Sequence, residues 1–264
     1  MKKTTKMLAI LLAAMTALSG CGGSGTTTTQ TEGKTETTAA AEKTGTETAQ
    51  KGPKDEVVTM AVISSWDTLN IYNTSGNYGN AVADQLFERL VTRTHDGVIE
   101  PRLATEWQIA DDNKSMTFKL AENALWHDGE KLTANDIVFT CKAMTNPDVD
   151  NYYRSAFNVL AGTDDDGIAA DTDQLGVEAV DDYTVKFSFK EPKDQDTILN
   201  AFLSFLYVLP EHILDTGNYA DINNSSFWTS PVGAGPFKYV KDTAGETLEM
   251  EAFEDYYQGC PDFK

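Results

Sequence analysis

Apolar and polar positions along the chain fall into short stretches of two periods. Residues 57–63, VVTMAVI, form an unbroken β-rich run that predicts a buried strand. A polar, Asn-rich loop follows over 64–80. Val82, Leu86, Phe87, Leu90 and Val91 then recur at helical spacing and predict an amphipathic helix over 80–91. Residues 107–109 and the alternating Met116, Phe118 and Leu120 flank a turn at 111–114, the pattern of a hairpin. Trp126-His127-Asp128-Gly129 reads as a second tight turn. Thr133, with Asp136 three residues on, is similar to a capping box and opens a helix through Ile137, Cys141 and Met144 that ends before Pro147. Alternation over 177–180 and 183–190 about Asp181-Asp182 predicts another hairpin. Ile198, Leu199, Phe202 and Leu203 read as helical, and 205–209 as a short strand closed by Pro210. Strands and helices mix without a βαβα rhythm and without a fixed repeat, so the fold class expected is α+β with a mixed sheet.

The first 54 residues do not share these patterns. Lys2, Lys3 and Lys6 precede 12 residues, 7–18, of apolar character. A membrane-spanning helix needs about 20, so residues 1–20 read as a signal peptide. Leu18-Ser19-Gly20-Cys21 resembles the lipobox of bacterial lipoproteins, which implies cleavage before Cys21, acylation of its thiol and the lipid bilayer as a partner. An ordinary signal peptide with an incidental cysteine is the alternative. Residues 22–54 hold 11 Thr and 6 Gly among 33 residues and no Val, Ile, Leu, Met, Phe, Tyr or Trp. With nothing to bury, 21–54 is expected to be a lipidated cysteine followed by a disordered tether, leaving 55–264 as the folded part.

Charge narrows the function. A formal net charge of −20 over 264 residues leaves no basic surface for DNA or RNA, so no nucleic acid is expected as a partner. Three cysteines cannot staple a chain of this size; Cys141 reads as core, Cys260 as loop, and a bridge between them stays open. No G-x-S-x-G, H-E-x-x-H, Walker loop or C-x-x-C occurs, so no catalytic residue, metal or cofactor is assigned. His95, His127 and His212 stand apart in sequence and read as surface or structural hydrogen-bonding groups. Gly233-Ala234-Gly235, followed by Pro236, reads as a turn between strands. The acidic loop with Asp164, Asp165, Asp166, Asp171 and Asp173 reads as solvated, with calcium as the alternative, although its spacing misses the D-x-D-x-D-G register. Paired carboxylates for glycoside hydrolysis stay open among 41 acids.

Several segments together resemble solute-binding protein family 5, the oligopeptide, dipeptide and nickel-complex receptors of ABC importers. They are Leu86-Phe87-Glu88-Arg89-Leu90-Val91; Pro101-Arg102-Leu103-Ala104 with Glu106-Trp107; Phe118-Lys119-Leu120; Trp126-His127-Asp128-Gly129; and Leu132-Thr133-Ala134-Asn135-Asp136-Ile137. Then follow Glu178-Ala179-Val180-Asp181-Asp182-Tyr183-Thr184-Val185, Leu209-Pro210-Glu211-His212-Ile213, Pro231-Val232-Gly233-Ala234-Gly235-Pro236-Phe237 and Tyr256-Tyr257-Gln258-Gly259, in the family's order. Ala234 and Phe237 stand where the family often has Thr and Tyr, and Cys260 near a usual basic residue. The resemblance implies a periplasmic-binding-protein-like type II fold, two lobes closing on ligand. Lys264 falls near the crossover to the second lobe, so an incomplete N-terminal lobe with the second absent is expected. Further expectations are a peptide or small polar solute as ligand, ABC permease subunits in the membrane as partners, and lipid anchoring on the extracytoplasmic face of the cell membrane. Asn73, Thr74, Ser75, Asn77 and Tyr78, in the loop after the first predicted strand, are the candidate ligand-binding residues; an ordinary surface loop is the alternative. Trp66 either lines the cleft or covers the sheet. An exported carboxylate hydrolase and a surface lipoprotein that binds a protein partner remain the other readings. Sheet edges left without returning strands would make the isolated chain marginally stable and prone to associate.

Overall fold

The computed structural model describes residues 57–61, 68–74, 77–243 and 246–263. The chain divides into two units, Met1–Glu47 and Thr48–Lys264, and all described residues belong to the second. The expected signal peptide, Cys21, the tether and Trp66 lie outside them.

The first helix, α1 (Asn77–Leu86), leads into a two-stranded antiparallel ribbon of β1 (Val91–Arg93) and β2 (Ile99–Pro101). The main sheet is built from β3 (Ala104–Ile109), β4 (Ser115–Leu120), β5 (Val177–Asp181) and β6 (Thr184–Ser188) in the order β3-β4-β6-β5, antiparallel throughout. Helix α2 (Ala134–Thr145) joins its two hairpins. A short turn of helix, α3 (Gln195–Thr197), runs on as a π turn over Ile198–Phe202, and α4 (Glu211–Leu214) follows. The hairpin of β7 (Phe237–Thr243) and β8 (Thr247–Ala252) comes last.

Period-two alternation puts Met116, Phe118 and Leu120 of β4 and Val185 and Phe187 of β6 on one buried face. Phe118 meets Phe187 edge-on at 5.7 Å, Phe187 meets Phe202 at 5.5 Å, and Phe202 meets Phe157 at 5.4 Å. This aromatic file ties the sheet to the π turn and holds the centre of the core. Both hairpins stand where the alternation predicts, with Trp107 opposite Phe118, Ile109 opposite Met116, and Ala179 opposite Val185. Asn113 takes the left-handed conformation that the first turn requires, at φ 56°. The Thr133 N–H donates to Asp136 Oδ2 at 2.8 Å, so the first turn of α2 is closed by the expected acid, and α2 stops before Pro147.

Three expected elements differ. Residues 57–61 form no strand, and Val57, Val58 and Met60 are 80%, 61% and 71% exposed. A strand exists only through a ladder with a neighbour, and none pairs with these residues among the described ones. The expected helix over 80–91 begins at Asn77 and ends at Leu86. Leu86, Phe87, Leu90 and Val91 are buried as expected and Val82 partly so, but beyond Phe87 the backbone is claimed elsewhere: the Glu88, Arg89 and Leu90 carbonyls accept from Val208, Leu103 and Arg102. The expected strand over 205–209 is reduced to one bridge between Arg89 and Tyr207. Side chains occupy its ladder positions, since Tyr72 Oη donates to the Tyr207 carbonyl at 2.6 Å and the Leu209 N–H donates to Thr140 Oγ1 at 2.9 Å.

Gly233-Ala234-Gly235 does not simply join two strands but lies flat against the end of α1. The Gly235 N–H donates to the Leu86 carbonyl at 3.0 Å, supplying a partner to an otherwise open helix end. A Cβ on Gly233 would come 1.7 Å from that same oxygen. Main chain cannot swing aside as a side-chain tip can. Gly233→Ala is therefore expected at the upper end of the ~1–3 kcal/mol typical of overpacking, read as a lower urea midpoint with an unchanged slope.

Candidate ligand-binding face

The polar loop ahead of α1 contains the residues singled out from sequence. It is held by its own turn and by tyrosines. Asn70 organises the turn: its Oδ1 accepts from the Tyr72 N–H at 3.1 Å, and its carbonyl accepts from the Asn73 N–H at 3.0 Å. The Tyr72 carbonyl accepts from the Tyr152 N–H at 2.9 Å, and the Thr74 carbonyl accepts from Tyr153 Oη at 3.0 Å. Tyr153 also reaches Asn80 Oδ1 at 3.4 Å and stacks on Phe205 at 5.2 Å. Phe205 and Tyr152 are exposed, so the loop borders an aromatic surface. Asn73 is half-buried. Thr74 is 1% exposed and packs so tightly on Gly79 that a Cβ there would lie 2.0 Å from Thr74 Oγ1. Ser75 lies outside the described residues, and the backbone of Asn77 and Tyr78 forms the start of α1. Asn73 and Thr74 thus share one anchored turn with a bordering aromatic pair, Tyr153 and Phe205, that the sequence pattern did not reveal. Tyr153 sits in a stretch without helical or strand period, so its only signal was composition.

The segments that carried the resemblance assemble elsewhere, into three polar knots. In the first, Glu88, 2% exposed, accepts from Arg102 Nε at 2.9 Å, Tyr256 Oη at 2.6 Å and Tyr257 Oη at 3.1 Å. Burial opposes the Arg102 charge, but Glu88 more than offsets it and holds the guanidinium above its ordinary range. Burial and then Glu88 push both tyrosines up, so they remain donors. In the second, His127 bridges the glycine loop: Nδ1 accepts from the Gly233 N–H at 3.1 Å and Nε2 faces the Gly235 carbonyl at 2.9 Å. Burial lowers its pKa to about 4. In the third, Asp136 accepts from the N–H groups of Thr133 and Glu211, at 2.8 and 3.0 Å, fastening α4 to α2. Burial raises its pKa, and those bonds work against the rise. His212, at 2.8 Å from Asp128, ties α4 to the turn at 126–129. Each of these groups joins one segment to another.

The acidic loop is internally engaged. Asp164 Oδ1 accepts from the Asp166 and Ile168 N–H groups, Asp171 accepts from the Asp173 N–H, and Asp173 pairs with Lys142 at 2.7 Å. Among the described residues no three His, Cys, Asp or Glu groups come together to hold a metal ion. Cys141, buried, and Cys260, half-buried, are both free thiols. A hollow of about 720 Å³ is bordered by Glu106, Lys119, Glu122, Asp181 and Tyr183 and shares no residue with the loop. A smaller cleft of about 220 Å³ lies along α1, between Asp84, Glu88, Arg89 and Arg102.

This α+β architecture, with its antiparallel sheet, is that of the type II periplasmic binding proteins. It superposes on the oligopeptide-binding protein AppA from Bacillus subtilis, solved in complex with a nonapeptide, with a TM-score of 0.67 and 26% identity, covering 77% of this chain and 37% of that one. Residues 98–264 match the family described as bacterial extracellular solute-binding proteins, family 5 Middle, and the chain belongs to that family. In sequence, AppA is 26% identical over 264 residues, covering 98% of this chain and 42% of AppA. The periplasmic murein peptide-binding protein MppA of Escherichia coli is 33% identical over 187 residues, covering 68% of this chain and 33% of MppA. The chain therefore spans less than half the length of these relatives. Among the described residues no helix is long and apolar enough to cross a membrane.

Proposed function

We propose that this chain is the ligand-capturing first lobe of an extracytoplasmic receptor that delivers peptides, or a similar small polar solute, to an ABC permease, with Cys21 as its lipid anchor. The reading rests above all on one observation: the turn with Asn73 and Thr74 is fixed by Asn70, Tyr72 and Tyr153 beside the exposed Phe205. Its neighbouring polar positions, Ser75, Asn77 and Tyr78, suit the amide groups of a peptide backbone, and the aromatic border suits a side chain. The relatives named for binding peptides support the same ligand class. The lobe is read as having no chemistry of its own, because the buried titratable groups of its three knots hold one segment to another.

A single lobe leaves half of a ligand's polar groups in water, so residues 1–264 taken by themselves are expected to bind weakly. The test is NMR titration with an alanine-rich nonapeptide at millimolar concentration. Amide signals of residues 70–80 and 152–153 should shift saturably while those of the turn at 111–114 stay fixed. Shifts centred elsewhere, or peptide cleavage products in the same tube, would turn the reading toward a different site or a hydrolase. In bacteria, labelled palmitate should enter the wild-type chain, and Cys21→Ser should remain unlabelled and leave the membrane fraction.

A further inference from the structure

Tyr207 does two things for the loop just described. Its carbonyl receives the Tyr72 hydroxyl, and its own hydroxyl donates to Asp84 Oδ1 at 2.6 Å. The same carboxylate oxygen lies 2.6 Å from Arg89 Nη2. Arg89 returns to the segment twice: its guanidinium carbon sits 4.7 Å from the centre of the Tyr207 ring, and Nη1 donates to the Ser204 carbonyl at 2.9 Å. These contacts close a circuit among α1, Arg89 three residues beyond its end, and the irregular segment 204–207. That segment has no ladder to fix it, since its one bridge is to Arg89 itself. The Val208 N–H, in the same peptide unit as the Tyr207 carbonyl, donates to the Glu88 carbonyl at 2.9 Å, and the Asp84–Arg89–Tyr207 circuit adds side-chain restraint to that unit and through it to Tyr72.

We propose that Asp84, Arg89 and Tyr207 act as positioning residues for the ligand-binding turn, setting Tyr72 and so the presentation of the half-buried Asn73 next to the buried Thr74. The inference rests on the reading of that turn as the ligand site. Burial pushes the Tyr207 hydroxyl above its ordinary range, outweighing the opposing pull of Arg89, so it stays a donor across physiological pH. Asp84 is oriented by two donors at once, and a carboxylate held by both a guanidinium and a phenol keeps one rotamer better than either pair alone. The unit works by restricting the turn's alternatives, so its effect falls on the ligand's affinity through preorganisation rather than through a contact.

Three amides report on the turn alone: Tyr72 to Asn70 Oδ1, Asn73 to the Asn70 carbonyl, and Tyr152 to the Tyr72 carbonyl. In hydrogen exchange on the full chain, Tyr207→Phe and Asp84→Asn are each expected to speed these three about 5- to 10-fold, the effect of losing one buried bond. Amides of the β4–β6 ladder should keep their rates. Tyr72→Phe should reproduce the effect, and the double variant Tyr72→Phe with Tyr207→Phe should add little to either single change, because both act through one linkage. The nonapeptide titration should weaken by a similar factor in all of them. Unchanged reporter amides, additive double-variant effects, or acceleration spread evenly over the β4–β6 ladder would overturn the proposal. If the reporter amides speed up but the wild-type chain ignores the nonapeptide, positioning of the turn stands and the peptide reading falls.

Discussion

Glu88→Ala is expected to destabilise the lobe by about 3–5 kcal/mol, the range for breaking a buried ion pair from one side. The substitution strips the largely buried Arg102 of its carboxylate and leaves the hydroxyls of Tyr256 and Tyr257 without their acceptor. Those groups were desolvated on folding, and alanine supplies nothing in return. In a domain of about 200 residues each kcal/mol moves Tm by roughly 2–4 °C, so the melting midpoint should fall by about 10 °C. Glu88→Gln keeps an acceptor oxygen while removing the charge and should lose less. A Glu88→Ala midpoint within a degree or two of wild type would mean that the four side chains do not act as a unit.

The second large effect is a dependence on pH. His127 is neutral in the folded lobe, since Nδ1 faces an N–H that can only donate, and burial lowers its pKa from the ordinary 6.5 to about 4. The unfolded chain thus binds a proton more readily than the folded one. The stabilisation is complete above pH 6.5, declines as pH falls from 6.5 towards 4, and is gone below that. The difference corresponds to roughly 3 kcal/mol at 1.36 kcal/mol per pH unit. Acidification also relieves the repulsion of a chain with net charge −20, which acts in the opposite direction. The quantity to measure is therefore the difference between wild type and His127→Gln in urea unfolding at pH 7 and pH 4.5. That difference should shrink markedly in acid, and a difference independent of pH would rule out a neutral, doubly engaged imidazole.

Local pattern carried the hairpins, because period-two alternation and the turn residues Asn113 and Asp181 act within a few positions of each other. The cap of α2 was equally local, since Thr133 and Asp136 are one turn apart. The apolar spacing of 82–91 correctly marked buried residues, but it could not say where α1 stops. That is decided by Gly235, Val208 and Leu103, which arrive from distant parts of the chain. The same reason hid the anchors of the turn at 70–74: Tyr153, Phe205 and Tyr207 are ordinary aromatics until folding places them beside it. The family resemblance was legible because its segments are the tying points themselves. Glu88, Arg102, Tyr256 and Tyr257, or His127 with Gly233 and Gly235, are short strings whose chemistry the fold uses in pairs. The loop at 68–74 is tied to the lobe through the main-chain carbonyls of Tyr72 and Thr74, which any residue type supplies, so its residues carry no comparable signature.

The knot around Glu88 is closed by a tyrosine 168 residues further along the chain. Synthesis must run 168 residues past Glu88 before that carboxylate can find its partner, and closing so wide a loop is slow as well as late. Family 5 proteins reside outside the cytoplasm, and a chain that must cross a membrane before it folds gains from such a delay. The contact that makes the finished lobe firm is thus among the last that the growing chain can form.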